Sequence, residues 1–248
     1  MPQEILGVIP ARYASSRFPG KALVSIAGKP MLQHVWERAR QSRRLSRLVI
    51  ATDDYRIEQA GRSFGAQVVM TQPGHPSGTD RAAEVASRDP AEVVVNIQGD
   101  EPLIDPRAID AAVETLLSAQ NAAMATLMNR IEDQTELEDP NVVKVVCDRA
   151  GYAIYFSRLP IPYVRSGAAV HFRHIGLYAF RREFLLAFPS LPIGPLESAE
   201  KLEQLRALEN GFRIRVAETA YRSLGVDTPQ DLERVCTLME KSPSGSQI

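Results

Sequence analysis

Short hydrophobic runs recur through the first hundred positions, at 5–9, 48–51, 67–70 and 93–97, with no strict alternation of apolar and polar side chains. Runs of that kind fit strands buried on both faces. Between them, 31–43, 56–64 and 80–87 carry apolar residues at helical spacing. Repeated strand–helix–strand units predict a mostly parallel α/β sheet covered by helices, with right-handed crossovers and ligands gathered beyond the carboxyl ends of the strands. The loops after Ile9, Met70 and Ile97 are therefore the expected functional loops. A fourth helix is predicted over 106–118, where Asp105 can cap and Pro106 suits the first turn.

The rhythm then changes. Segments 124–128, 142–146, 152–156 and 175–180 read as strands separated by only one short, acidic helical stretch, which predicts an antiparallel extension or arm; more of the same sheet is the other reading. Helices follow at 197–208 and 229–240 around a strand at 213–216. The whole chain, 1–248, reads as one α/β domain. Positions 241–248 contain little to bury and are expected to be a disordered tail.

Composition narrows the function. Of 248 residues 44% are hydrophobic and 24% charged, and the formal net charge is -1, which suits a soluble globular protein and not electrostatic attachment to nucleic acid or membrane. Any anion site must be local. Cys147 and Cys236 lie far apart in apolar surroundings, so reduced thiols in a reducing cytoplasm are expected. The chain shows no signal segment and no run near about 20 apolar residues, so neither secretion nor membrane spanning is expected.

The local anion site is expected in the loop after the first strand, where Arg12, Arg17 and Lys21 join small residues, among them Ser15, and a Pro19-Gly20 turn. Arginines fork onto phosphate oxygens, and lysine supplies a compact charge. Neither GxxxxGK[ST] nor GxGxxG follows Ile9, which argues against a P-loop ATPase or a dinucleotide oxidoreductase. An ordinary basic surface loop is the competing reading. Asp100, just past the buried strand at 93–97, is the first candidate Mg²⁺ ligand, because that ion takes one or two carboxylates plus phosphate oxygens. Asp227, before Thr228-Pro229, is the second, with helix capping as its rival role.

His75, Ser77, Gly78, Thr79 and Arg81 form a loop able to meet a base or ribose, although Ser77 or Thr79 can equally cap the next helix. Arg158 and His174 are placed to meet an acidic sugar, with turn stabilisation or a subunit contact as alternatives. Glu203 and Gln204 fall off the apolar face formed by Ala199, Leu202 and Leu205, which predicts that they face solvent or ligand.

Taken in order, segments 10–21, 77–81, 96–102, 155–158, 173–176, 202–206 and 225–229 closely resemble the 3-deoxy-manno-octulosonate cytidylyltransferase (CMP-Kdo synthetase) family, over nearly the whole chain. The resemblance implies a Rossmann-like nucleotidyltransferase fold that makes CMP-Kdo and pyrophosphate from CTP and Kdo, for lipopolysaccharide assembly. It also implies Mg²⁺ dependence and a homodimer joined through an extension at about 131–190. By the same resemblance Arg12 and Lys21 contact the triphosphate with Ser15 and Arg17 nearby, and Ser77, Gly78 and Arg81 surround the cytidine. Asp100 and Asp227 hold magnesium, and Gln98, Arg158, His174, Glu203 and Gln204 line the Kdo pocket. The chain departs from the family pattern at Phe18 and Ala22, where leucine and proline are more familiar, and in a short connection between Pro162 and His174. Two alternatives stay open: a cytidylyltransferase for another acidic sugar, such as a sialic acid or 8-amino-Kdo, and a non-catalytic nucleotide-sensing module.

Overall fold

The apolar runs become strands of a nine-stranded sheet. The structure, a computed structural model, describes residues 3–14 and 18–241; Ser15, Arg17 and positions 242–248 of the expected tail lie outside the described residues. In chain order the first half comprises β1 (Ile5–Pro10), β2 (Ser25–Ile26), β3 (Lys29–Pro30), α1 (Met31–Ala39), β4 (Arg47–Thr52), α2 (Tyr55–Ser63), β5 (Gln67–Met70), α3 (Gly78–Ser87), β6 (Val93–Asn96) and α4 (Pro106–Leu117). The second half comprises β7 (Met124–Arg130), α5 (Gln134–Glu138), β8 (Lys144–Cys147), β9 (Ala153–Ser157), β10 (Phe172–Arg181), α6 (Arg182–Ala187), α7 (Pro195–Glu200), α8 (Gln204–Glu209), β11 (Ile214–Glu218) and α9 (Pro229–Lys241).

The strand order is β11-β7-β10-β6-β1-β4-β5, with β8 pairing to β10 and β9. β1 pairs in parallel with β4 and β6, as do β4 with β5 and β7 with β11. β10 alone enters this row antiparallel, between β6 and β7. The chain moves outward from β1 through β4 to β5, then crosses back to lay β6 on the other side of β1. That reversal opens a crevice beyond the carboxyl ends of β1 and β6.

Both sheet faces are covered, which explains the continuous apolar runs. Along β1, Ile5 and Ile9 face a core shared with α1, α2 and α4, while Leu6 and Val8 face one shared with α3, α6 and α8. A third, small cluster packs Ile26 and Met31 against Val226 and Val235, which seats α9 on the β2–β3 hairpin and draws the far end of the chain to its beginning.

Of the four strands expected in an antiparallel extension, β7 and β10 belong to the main row of the sheet, and only the β8–β9 hairpin branches off it, as an arm paired to β10. The helix expected over 197–208 is two helices, because Lys201 adopts left-handed backbone (φ 54°) between α7 and α8. The break turns Gln204 inward to 4% exposure, so of the two expected facings it does not take solvent.

Candidate active site

The crevice at the β1/β6 reversal is a cleft of about 380 Å³, and the loops after β1, β5 and β6 all line it. Its floor is tight. A Cβ placed on Gly99 would stand 2.8 Å from the Pro10 carbonyl oxygen, so only glycine lets the two loops meet at this spacing. Arg12 is exposed at the cleft, and Lys21 comes to it on a short 3₁₀ turn, Lys21–Leu23, entered through left-handed Gly20 (φ 73°).

Lys21 gathers the two candidate metal ligands. Its Nζ donates to Asp100 Oδ2 at 2.6 Å, to Asp227 Oδ1 at 2.9 Å and to the Val226 carbonyl at 3.2 Å. The two acidic loops are also tied by backbone, with Val226 N–H donating to the Asp100 carbonyl at 2.9 Å. Burial works to lower the Lys21 pKa, but Asp100 and Asp227 together outweigh it and hold the ammonium above its ordinary value. An ammonium bridging two carboxylates marks a cation-sized place between them, and two carboxylates are a donor set that suits Mg²⁺.

Asp227 is relieved of capping by its neighbours. Thr228 Oγ1 accepts from Asp231 N–H at 3.2 Å, while Asp231 Oδ2 accepts from the N–H groups of Thr228 at 2.8 Å and Asp227 at 3.1 Å. This is a reciprocal capping box at the start of α9, with aspartate in the usual glutamate position.

On the opposite wall Ser77 caps α3 by accepting from Asp80 N–H at 3.2 Å, and Gly78 brings the first turn against Pro10. The dipole at this helix start favours an anionic ligand. Arg81 lines the cleft yet is only 4% exposed, with its guanidinium bonded to Thr71 Oγ1 and, at 3.1 Å, to Asp53 Oδ1. Its charge therefore also fastens α3 to the ends of β4 and β5. His75 lines the cleft with Nε2 2.5 Å from Glu84 Oε2, and Glu84 also accepts from Gln72 N–H.

The third wall is built on an irregularity in β10, where the register with β7 shifts between Ile175 and Ala179. Thr126 Oγ1 fills the shift, lying 2.8 Å and 2.9 Å from the carbonyls of Ile175 and Leu177 and 3.0 Å from His174 Nε2. Its single proton goes to a carbonyl, so His174 Nε2–H is the donor to Thr126. The displaced Gly176 carbonyl accepts from Gln98 Nε2 at 2.9 Å, which orients Gln98 in the cleft.

Of the five residues expected around a sugar, Gln98 and Glu203 line this cleft. His174 lies behind it, edge-on to Phe156 and 5.4 Å from the Tyr178 ring, where burial pushes its pKa down to about 3. Arg158 is held toward the arm by the Glu200 and Pro140 carbonyls, at 2.8 Å and 2.9 Å.

Glu101 and Asp53 support the site without a sequence signal of their own. Glu101 turns away from Asp100 into the interior, where it accepts from Tyr221 Oη at 2.7 Å and Ser223 Oγ at 2.6 Å; burial raises its pKa against those two bonds. Adjacent acids on one loop cannot be told apart until the loop's two sides are known.

The cytidylyltransferase family model matches residues 6–215. A 3-deoxy-manno-octulosonate cytidylyltransferase of Solibacter usitatus is 62% identical over 98% of this chain and 97% of its own, and one of Geobacter sulfurreducens is 56% identical over 93% and 97%. Among solved structures, a CMP:2-keto-3-deoxy-manno-octonic acid synthetase complexed with CTP superposes with a TM-score of 0.93 at 45% identity, covering 97% of this chain and all of that one. By that family match and those identities, the chain belongs to the cytidylyltransferase family, among the 3-deoxy-manno-octulosonate cytidylyltransferases.

Proposed function

We propose that this protein transfers CMP from CTP to 3-deoxy-D-manno-octulosonate, releasing pyrophosphate, in the cytoplasmic supply of lipopolysaccharide precursors. The observation that carries the reading is the convergence of Lys21, Asp100 and Asp227 in the same cleft as Arg12, the first turn of α3 and Glu203.

In that reading Arg12 and Lys21 bind the triphosphate and take up the charge that grows on departing pyrophosphate. The first turn of α3, with Ser77, Gly78 and Arg81, holds the cytidine side. Gln98 and Glu203 orient the sugar so that its anomeric hydroxyl approaches the α-phosphorus in line. No side chain acts as a covalent nucleophile, because alignment and charge stabilisation carry transfers of this kind. Asp100 and Asp227 are the residues that would hold Mg²⁺, which when bound supplies charge neutralisation at the phosphate oxygens.

A homodimer through the arm is part of the proposal. Ile154, Leu159, Tyr163 and Val170 are exposed by 61%, 71%, 87% and 53%, and they cluster in the sequence of the β9–β10 connection and its flanks.

Pyrophosphate release from CTP, measured with Kdo, 8-amino-Kdo and a sialic acid at saturating Mg²⁺, tests the reading. Turnover with Kdo at least tenfold above the other two is the expected result. Preference for another sugar acid would replace the substrate, and CTP binding without release on any of them would leave a nucleotide sensor.

A further inference from the structure

We infer that Thr79 is a positioning residue, holding the Glu203 carboxylate in place from the first turn of α3. The inference deepens the reading of the cleft as a CTP and Kdo site and rests on it. Thr79 is 4% exposed, and its Oγ1 donates to Glu203 Oε2 at 2.8 Å. Asn96 Nδ2 donates into the same hydroxyl at 3.4 Å. A hydroxyl has one proton, so a donor arriving from Asn96 leaves that proton committed to Glu203. The bonds thus run in one direction, from the end of β6 through α3 to a carboxylate at the cleft.

Two features show why the tie matters. Glu203 lies in the break between α7 and α8, just after left-handed Lys201, so its own backbone does not hold it as a helix interior would. Asn96 closes the run Val93-Val94-Val95, is 3% exposed, and keeps its Oδ1 without a hydrogen-bond partner. A buried acceptor with no donor costs stability, and an apolar side chain would suit that position better. The amide is thus explained by what it directs at Thr79 and not by packing. A carboxylate has acceptor capacity for several donors, so Glu203, with one oxygen fixed by Thr79, is set to receive sugar hydroxyls.

The test compares Thr79→Val, which keeps the shape and removes the hydroxyl, with Thr79→Ser, which keeps the hydroxyl. For Thr79→Val we expect the KM for Kdo to rise about tenfold, with smaller changes in kcat and in the KM for CTP, the scale of one lost hydrogen bond to a charged group. Amide hydrogen exchange over residues 202–206 should quicken in the same variant, and Thr79→Ser should stay near the wild type in both. A wild-type KM for Kdo in Thr79→Val, equal rises in both KM values, or a serine variant as impaired as the valine one would overturn the inference. Failure of the wild-type protein to release pyrophosphate with Kdo would instead overturn the functional reading, and exchange alone would then decide whether Thr79 holds the segment.

Discussion

Lys21 reaches carboxylates 79 and 206 positions along the chain, and each is held by different local chemistry. Asp100 projects from a loop pinned to β1 by the close approach of Gly99, whereas Asp227 is presented by a loop whose capping is done by Thr228 and Asp231. The Asp-Thr-Pro sequence made Asp227 a natural cap, but the Thr-x-x-Asp spacing that relieves it was equally legible. Asp100→Asn keeps the volume and removes the charge, so turnover should fall at least about a hundredfold, or roughly 2.7 kcal/mol, with the thermal midpoint little changed. Steady-state pyrophosphate release beside a melting curve checks this, and near-normal Mg²⁺-dependent turnover would remove Asp100 from the metal set. Gly99→Ala should act differently. Its methyl meets a backbone oxygen that cannot rotate away, so a loss of about 1–3 kcal/mol in denaturant stability is expected together with a raised KM for CTP. An unchanged denaturation midpoint would mean that the β1 and β6 loops part without cost.

At the scale of elements, β1 and β6, whose two faces are both buried, were read to within a residue, and the edge strand β5, over Gln67–Met70, has the predicted limits. The α7–α8 break was not legible, because it depends on partners outside the local spacing. Glu209 accepts from the N–H groups of Leu196 and Glu197, both at 2.9 Å, and caps the start of α7 from the end of α8. Glu197 in turn grips Arg206 at 2.6 Å and 2.8 Å, and Arg206 lies 4.6 Å over the Phe188 ring. Lys144 shows the same limit: a strand lysine that pattern would send outward is fully buried, its ammonium on the carbonyls of Asp139 and Val142. Glu197→Ala should therefore leave the Arg206 charge buried without its partner and cost about 3–5 kcal/mol, read from equilibrium denaturation. Replacing both residues with apolar ones of similar size should recover much of that loss. A Glu197→Ala protein as stable as the wild type would show that water reaches Arg206 and that the pair does not lock the turn carrying Glu203.

Across the whole molecule, the alternation of runs was enough to anticipate a parallel sheet with its cleft at the strand ends, but not the insertion of β10 between β6 and β7. An antiparallel strand buried on both faces carries the same apolar signature as its parallel neighbours, and which neighbours it takes is set by the sheet as a whole. That insertion has a pH consequence, because it carries His174 into the space between Phe156 and Tyr178. Burial lowers the pKa of its ring from 6.5 to about 3, so the unfolded chain binds a proton there in a range where the folded one does not. Stability from this group is fully present above pH 6.5 and is lost as pH falls toward about 3, at up to about 1.4 kcal/mol per pH unit. Urea denaturation at steps from pH 7.5 to pH 5 should show that decline in the wild type, and His174→Gln, which cannot titrate, should flatten it. Parallel declines in the two proteins would remove His174 as the source.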